Sequence, residues 1–145
     1  MSNTTGVRNT TATVADDHID SIPGGPATAG MGIHVVDHRR GHATVTMKVT
    51  EFMLNGFGHC HGGFVFMVAD TAFGMACNSD GEPNAVGADT SMNFIRPVTL
   101  GTTLTATGTR GTTFGRNMLC HTVITDSSGS VVAELNGRCV QVRPK

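Results

Sequence analysis

The chain has no tryptophan and no tyrosine, and only 14% of its 145 residues are charged. Ten lysines and arginines stand against 11 acidic residues, which gives a formal net charge of −1. Binding of nucleic acid through bulk electrostatics requires an excess of positive charge, so we expect no nucleic-acid partner. Without Trp or Tyr, any flat ligand group must rest on phenylalanine or aliphatic side chains.

A long apolar run is also missing. The most apolar stretch, residues 63–77, is interrupted by Asp70 and is too short to span a bilayer. The first residues lack the apolar core of a signal peptide. We therefore expect no membrane partner and a cytoplasmic location. The length suits one domain, and we predict a disordered polar tail over residues 1–12 followed by a single domain over residues 13–145.

The cysteines show no paired spacing. The four of them stand at Cys60, Cys77, Cys120 and Cys139, and reduced thiols are expected in the cytoplasm. The segment His59-Cys60-His61 has ligand-type side chains, but zinc ligands are usually separated by two to four residues and no second cluster follows. We expect neither a metal nor a bound cofactor.

Alternating polar and apolar residues predict strands on both sides of one helix. Between residues 42 and 50, every second residue is apolar, which indicates a half-buried strand. A turn at 38–41 predicts a hairpin with residues 32–37, and a short helix is predicted at 14–22. Further strands are predicted at 86–96, 102–109, 117–126 and 131–142. A lone apolar helix is best buried by a sheet that curls around it, so we predict an α+β architecture.

One carboxylate lies within the apolar helix. Asp70 and Thr71 are the only polar side chains of residues 63–77, and a helix that is apolar on all sides is expected to be buried. A buried carboxylate without a partner costs several kcal/mol or takes up a proton. Asp70 is therefore the leading candidate for chemistry; the alternative is that it caps or pairs with a neighbouring element.

Two glycines mark the beginning of this helix. The first backbone N–H groups of a helix have no intrahelical acceptor, and glycine lets a ligand atom approach them closely. A developing oxyanion is one natural occupant of such a position. The alternative is that Gly62 and Gly63 only form a tight turn.

Residues 54–79, LNGFGHCHGGFVFMVADTAFGMACNS, carry a block of spaced motifs. They comprise Asn55, the triplet at 61–63, the ADTA segment at 69–72 and Asn78, with Asn93-Phe94-Ile95-Arg96-Pro97 downstream. This pattern strongly resembles the hotdog-fold acyl-CoA thioesterases of the phenylacetic-acid-degradation (PaaI) type. The resemblance covers about residues 30–142. The N-terminal region departs from it, since family members often carry a longer amphipathic helix there.

The resemblance implies a hotdog fold, in which a curved antiparallel sheet of five or six strands wraps one long central helix. It implies hydrolysis of aryl-acetyl-CoA or medium-chain acyl-CoA, with coenzyme A as part of the substrate. It also implies homodimers joined edge to edge, commonly paired into homotetramers. Independently, Gly62 and Asp70 are eight residues apart, about 12 Å along one helix. That is too far for both to reach one carbonyl carbon, so we expect each site to combine Gly62 of one subunit with Asp70 of another.

The expected roles follow from the chemistry of each group. Asp70 is either the base that activates water or the nucleophile, and the Gly62 N–H, with Gly63, polarises the thioester carbonyl. Asn55 positions the water or the carbonyl, or it only bonds its own loop; Thr71 orients the water or bonds back into the helix. His61 is a base or a loop-fixing residue. The expected substrate-binding residues are Gly63, Phe57, Phe94 and Arg96, the last as a phosphate partner.

Two other functions remain open at this point. Some hotdog relatives hydrate or dehydrate acyl thioesters, typically with a histidine near the carboxylate. A non-catalytic acyl-CoA sensor is the other alternative, although a carboxylate in an apolar helix is hard to explain for a pure binder.

Overall fold

The computed structural model describes residues 25–79 and 85–142. The predicted tail at 1–12 and helix at 14–22 lie outside these residues. Two helices and six strands follow in the order α1 (Pro26–Gly30), β1 (His34–Arg39), β2 (His42–Lys48), α2 (Gly62–Cys77), β3 (Ala85–Phe94), β4 (Thr103–Phe114), β5 (Asn117–Thr125) and β6 (Val131–Gln141), with a 3₁₀ turn at Glu51–Met53. None of the helices described in these ranges is long and apolar enough to cross a membrane.

The six strands form one antiparallel sheet in the order β1-β2-β4-β5-β6-β3. The chain leaves the sheet after β2, runs through α2 on one face, and returns at the far edge as β3. The helix contacts every strand, most extensively β4 and β2. This is the predicted α+β architecture, with one long helix held by a curved sheet.

The alternation in β2 is confirmed. Ala43, Val45 and Met47, together with Val49 just beyond the strand, are buried, whereas the residues between them are partly or fully exposed. The period-two pattern predicted this strand correctly because one face of β2 packs on α2 while the other faces outward.

Glycines let α2 approach the sheet closely. A Cβ placed on Gly108 of β4 would lie 2.5 Å from the carbonyl oxygen of Ala72, a distance no real side chain occupies. On β6, a Cβ on Gly137 would come within 2.9 Å of the Phe73 ring. The helix therefore rests directly on the backbone of β4, and the Phe73 ring occupies the space that Gly137 leaves empty.

Strand β4 is longer than predicted. The sequence suggested that the strand ends at residue 109 and that residues 111–116 form a loop, but the pairing of β4 with β5 continues to Phe114 and Asn117. The register shifts between Arg110 and Thr113, and the turn itself narrows to Gly115, which has φ +57°. A glycine-rich extension carries little hydrophobic alternation, so its pairing is decided by the neighbouring strand.

The expectation that α2 is buried on all sides is wrong for the single chain. Its sheet-facing side is buried, but Asp70 and Gly63 are exposed and a stripe beside them is half exposed, formed by Phe66, Met67, Thr71 and Gly74. Edge strand β3 is likewise open on both faces along most of its length. The apolar composition of the helix therefore predicted more burial than the sheet of one chain provides.

Candidate active site

The N-terminus of α2 is organised by the two residues that precede and follow Gly62. The His61 side chain is the helix N-cap, and its Nδ1 accepts a hydrogen bond of 2.9 Å from the Gly63 N–H. The Gly63 N–H is therefore already bonded within the chain. The N–H of Gly62 meets no acceptor among the described residues, so it is the group of this terminus that is available to a ligand.

Asn55 lies on the loop before the helix, and its amide oxygen holds that loop together. Its Oδ1 accepts hydrogen bonds from the backbone N–H groups of Phe57, at 2.9 Å, and His59, at 3.2 Å. With both lone pairs of Oδ1 occupied, the Nδ2 group remains as a donor only. Within residues 25–79 and 85–142 it has no acceptor.

Four of the predicted site residues meet in one cavity. Asn55, Gly62, Phe94 and Arg96 line a cavity of about 420 Å³ beside the N-terminus of α2. Phe94 is in close contact with the helix, since a Cβ on Gly62 would come within 3.0 Å of its ring. The cavity is thus lined both by Gly62, whose N–H has no acceptor among the described residues, and by Asn55, whose amide group likewise has none there.

The Arg96 guanidinium is partly committed to the protein. It donates a hydrogen bond to the carbonyl oxygen of Val131, and its charge helps to lower the pKa of Asp126. The larger causes of that lowered pKa are the hydrogen bonds that the Asp126 carboxylate accepts from Ser128. Arg96 keeps other N–H donors and lies at the exposed rim of the cavity.

Asp70 is not part of this cavity. It stands two helical turns away from Gly62, in the exposed stripe of α2. Partial burial of the carboxyl among apolar neighbours raises its pKa above the ordinary value, because desolvation disfavours the charged form. In the single chain it faces outward.

Thr71 and Phe57 also lie outside the cavity. The Thr71 hydroxyl donates a 2.8 Å hydrogen bond to the carbonyl oxygen of Met67, one turn earlier, so its lone pairs remain free to accept. The Phe57 ring is 89% exposed. The turn that carries Phe57 points the ring into solvent, away from the cavity of its own chain, so its role in substrate binding stays a prediction.

The structure adds residues that the sequence did not single out. The cavity lining also includes His59, Cys60, Val65, Ile95, Pro97, Val98 and Val132. In the sequence, His59 drew notice only as part of the segment His59-Cys60-His61, as a possible metal ligand. Among the described residues there is no cluster of three side chains suited to hold a metal. Val98 and Val132 come from distant segments, and no local signal marks them.

A family model described as "Thioesterase superfamily" matches residues 57–133. This match covers just over half of the chain and contains the motif-bearing helix. The chain belongs to the thioesterase superfamily. The predicted family is thereby confirmed, and its fold is the one the six-stranded sheet and α2 display.

The individual relatives agree with this assignment. The acyl-coenzyme A thioesterase PaaI of Escherichia coli (strain K12) is 51% identical over 77 residues, which are 53% of this chain and 54% of that protein. The solved structure of E. coli PaaI, from the phenylacetic acid degradation operon, matches with a TM-score of 0.79 and 36% identity, covering 82% of this chain and 86% of that one.

A second relative was solved with a ligand. A Streptococcus mutans UA159 protein bound to acetyl CoA matches with a TM-score of 0.73 and 26% identity, covering 78% of this chain and 90% of that one. In the sequence comparisons the chain spans only about half the length of the relatives it matches, between 46% and 54%.

Proposed function

We propose that this chain hydrolyses acyl-CoA thioesters, with aryl-acetyl or medium-chain acyl groups, to the free acid and coenzyme A. The observation that carries the proposal is the meeting of the Gly62 N–H and the Asn55 amide in one cavity, next to a helix that bears a partly desolvated carboxyl. The activity that the name of the PaaI relative gives and the acetyl CoA of the S. mutans structure support the same substrate class.

The carbonyl oxygen of the thioester accepts hydrogen bonds from the Gly62 N–H and from Asn55 Nδ2. Both donors are preorganised, one by the His61 cap and one by the loop bonds of Oδ1. As water or a nucleophile adds to the carbonyl carbon, negative charge moves to that oxygen, and fixed donors stabilise it more strongly than water does. Since both lone pairs of its oxygen are occupied, Asn55 donates to the carbonyl and does not accept a hydrogen bond from the attacking water.

Asp70 of the partner subunit supplies the second half of the chemistry. As a base it removes a proton from water while the hydroxide adds to the carbonyl carbon; as a nucleophile it forms a mixed anhydride that water then cleaves. In the base route the C–S bond breaks when the tetrahedral intermediate collapses, and the thiolate takes up the proton that Asp70 removed from water. In the nucleophile route the C–S bond breaks as the mixed anhydride forms, before water cleaves it, and the thiolate takes up a proton from solvent. Thr71, whose lone pairs are free, accepts a hydrogen bond from the attacking water.

The dimer is part of this proposal. About 12 Å of helix separates Gly62 from Asp70 in one chain, and β3 leaves an edge open to pairing with a second β3. Antiparallel helices of two such subunits bring Gly62 of one near Asp70 of the other, which makes two sites per dimer. Pairing of dimers into tetramers and a cytoplasmic location complete the proposal.

The test measures loss of thioester absorbance with phenylacetyl-, hydroxyphenylacetyl-, benzoyl-, hexanoyl- and decanoyl-CoA. The variants are wild type, Asp70→Asn and Asp37→Asn, a control carboxylate that pairs with Arg39 on the opposite edge strand. We expect Asp70→Asn to lose at least about a hundredfold in turnover and Asp37→Asn to match wild type.

Three other outcomes would contradict the mechanism or indicate a different function. Wild-type activity in Asp70→Asn contradicts the mechanism. Binding of acyl-CoA without release of coenzyme A, unaffected by Asp70→Asn, indicates a sensor. Conversion of enoyl thioesters without loss of the thioester indicates a hydratase.

A further inference from the structure

The ring of Phe57 projects from the surface of the described part of the chain. At 89% its exposure is the highest among the large apolar side chains described. We propose that this ring packs across the dimer into a hollow at Gly74 of the partner subunit's α2, where it bounds the acyl end of the active site. The inference rests on the proposed function, because it needs the antiparallel pair of helices.

The turn that carries Phe57 is rigid. The N–H of Asn55 donates to the carbonyl oxygen of His59 at 2.8 Å, and that of Gly58 donates to the carbonyl oxygen of Asn55 at 3.0 Å. Leu54 and Cys60 form a β-bridge at its base, and Asn55 Oδ1 adds the two bonds described above. An aromatic ring on an ordered turn loses little entropy on packing. A phenylalanine can bury about 150–250 Å² in this way.

Gly74 provides the matching hollow. It is half exposed and lies one turn after Asp70, about 6 Å further along α2. A Cβ placed there would have no heavy atom within 4 Å. The surface of the helix is therefore indented at this point, next to the carboxyl that the mechanism uses.

The register of the two helices brings ring and hollow together. If Gly62 of one subunit lies opposite Asp70 of the other, each step toward the N-terminus of one helix is a step toward the C-terminus of its partner. The loop that precedes Gly62 therefore lies toward the part of the partner subunit's α2 that continues beyond Asp70, and Gly74 lies one turn further in that direction. In this arrangement Asn55 and Phe57 act from the same loop, the first on the carbonyl and the second on the acyl group.

Chemical cross-linking tests the contact without relying on activity. Phe57→Cys with Gly74→Cys in one chain, treated with a short bis-maleimide, should give a covalent dimer. The four native cysteines are buried, and the two single-cysteine variants show whether any of them reacts. The matched control is Phe52→Cys with Gly74→Cys, since Phe52 is also 77% exposed but its ring packs edge-on to Phe64 of its own chain, at 5.7 Å.

The control and both single-cysteine variants should stay monomeric on a denaturing gel. A pair that reacts singly with maleimide but gives no more covalent dimer than the control overturns the contact. A protein that is a monomer in solution overturns it as well.

The acyl-chain selectivity of hydrolysis tests whether Phe57 bounds the acyl end of the active site. Phe57→Ala should raise the ratio of kcat/KM for decanoyl-CoA over hexanoyl-CoA by about tenfold, because it removes the wall at the acyl end. Gly74→Leu should lower the same ratio by filling the hollow, and Phe52→Ala should leave it unchanged. An active dimer whose ratio does not move with Phe57→Ala contradicts the inference, whereas cross-linking without hydrolysis of any thioester contradicts only the proposed function.

Discussion

At the scale of single residues, a substitution that stabilises the fold can at the same time reduce activity. The Asp70 carboxyl is the clearest case, since partial desolvation raises its pKa. The ionised carboxylate is then less favourable in the folded chain than in the unfolded chain. Between the lower pKa of Asp70 in the unfolded chain and its higher pKa in the folded chain, the folded state binds more protons. The free energy of unfolding therefore falls as the pH rises through this interval.

Asp70→Asn should therefore raise the free energy of unfolding at neutral pH while it abolishes turnover. The physical reason is removal of a charge that the folded protein does not solvate well. Urea denaturation at several pH values measures the effect, with Asp37→Asn as control. The gain should shrink as the pH falls and Asp70 of the wild type takes up its proton; a variant less stable than wild type at neutral pH would show that the carboxylate is a stabilising group.

Gly62 illustrates a similar conflict. In Gly62→Ala, helix propensity favours the alanine by about 1 kcal/mol, but the new Cβ would come within 3.0 Å of the Phe94 ring. We expect kcat/KM to fall by tenfold or more, about 1.4 kcal/mol in the transition state, with stability little changed.

The companion variant tests the cause of that loss. Gly62→Ala combined with Phe94→Leu should recover part of the activity, because the smaller side chain yields to the new methyl group. Equal losses in the single and double variants would instead mean that the methyl group blocks the substrate directly.

At the scale of elements, α2 is positioned by its cap and by the sheet beneath it. The sequence left two interpretations of His61, a base or a loop-fixing residue. In the structure its Nδ1 accepts a hydrogen bond from the Gly63 N–H. That nitrogen accepts a hydrogen bond and belongs to the helix N-terminus, which favours the second interpretation.

Replacement of His61 separates the two roles. His61→Asn keeps an N-cap acceptor and should retain most of kcat, whereas His61→Ala should lose about 0.5–2 kcal/mol of stability together with activity. Thermal unfolding and steady-state kinetics of both variants give the answer. Equal loss of kcat in both, without loss of stability in His61→Asn, would assign catalysis to the imidazole.

The contact between α2 and β4 should tolerate no added atom. In Gly108→Ala the Cβ would lie 2.5 Å from the carbonyl oxygen of Ala72, and helix or strand must move. Overpacking of this kind costs about 1–3 kcal/mol or more. Chemical denaturation should show the loss, while Gly30→Ala, at a site with open space, should be close to neutral. A neutral Gly108→Ala would mean that helix and sheet separate easily.

At the scale of the whole molecule, the question is whether each site is shared between subunits. An isologous dimer with sites of mixed origin can be tested by co-expressing Asp70→Asn with Gly62→Ala. Half of the dimers formed at random are mixed, and each mixed dimer has one site with both groups intact, so about one quarter of wild-type activity should return. Sites confined to one chain would give no activity beyond the average of the two parent variants.

The sequence by itself determined the family, the central helix and the order of strands around it. Local periodicity and capping decide such elements, as β2 shows: its buried residues alternate as the pattern predicted. The motif block also identified Asn55, Gly62, Phe94 and Arg96, which the fold brings into one cavity.

Only the tertiary structure decided which donors are free and which groups are separated. The hydrogen bonds of His61 and Asn55 depend on exact loop geometry, which sequence spacing does not encode. The continuation of β4 to Phe114 depends on its neighbour β5. The exposure of Asp70 and Phe57 is likewise visible only in the fold, because burial depends on which segments pack together and not on composition.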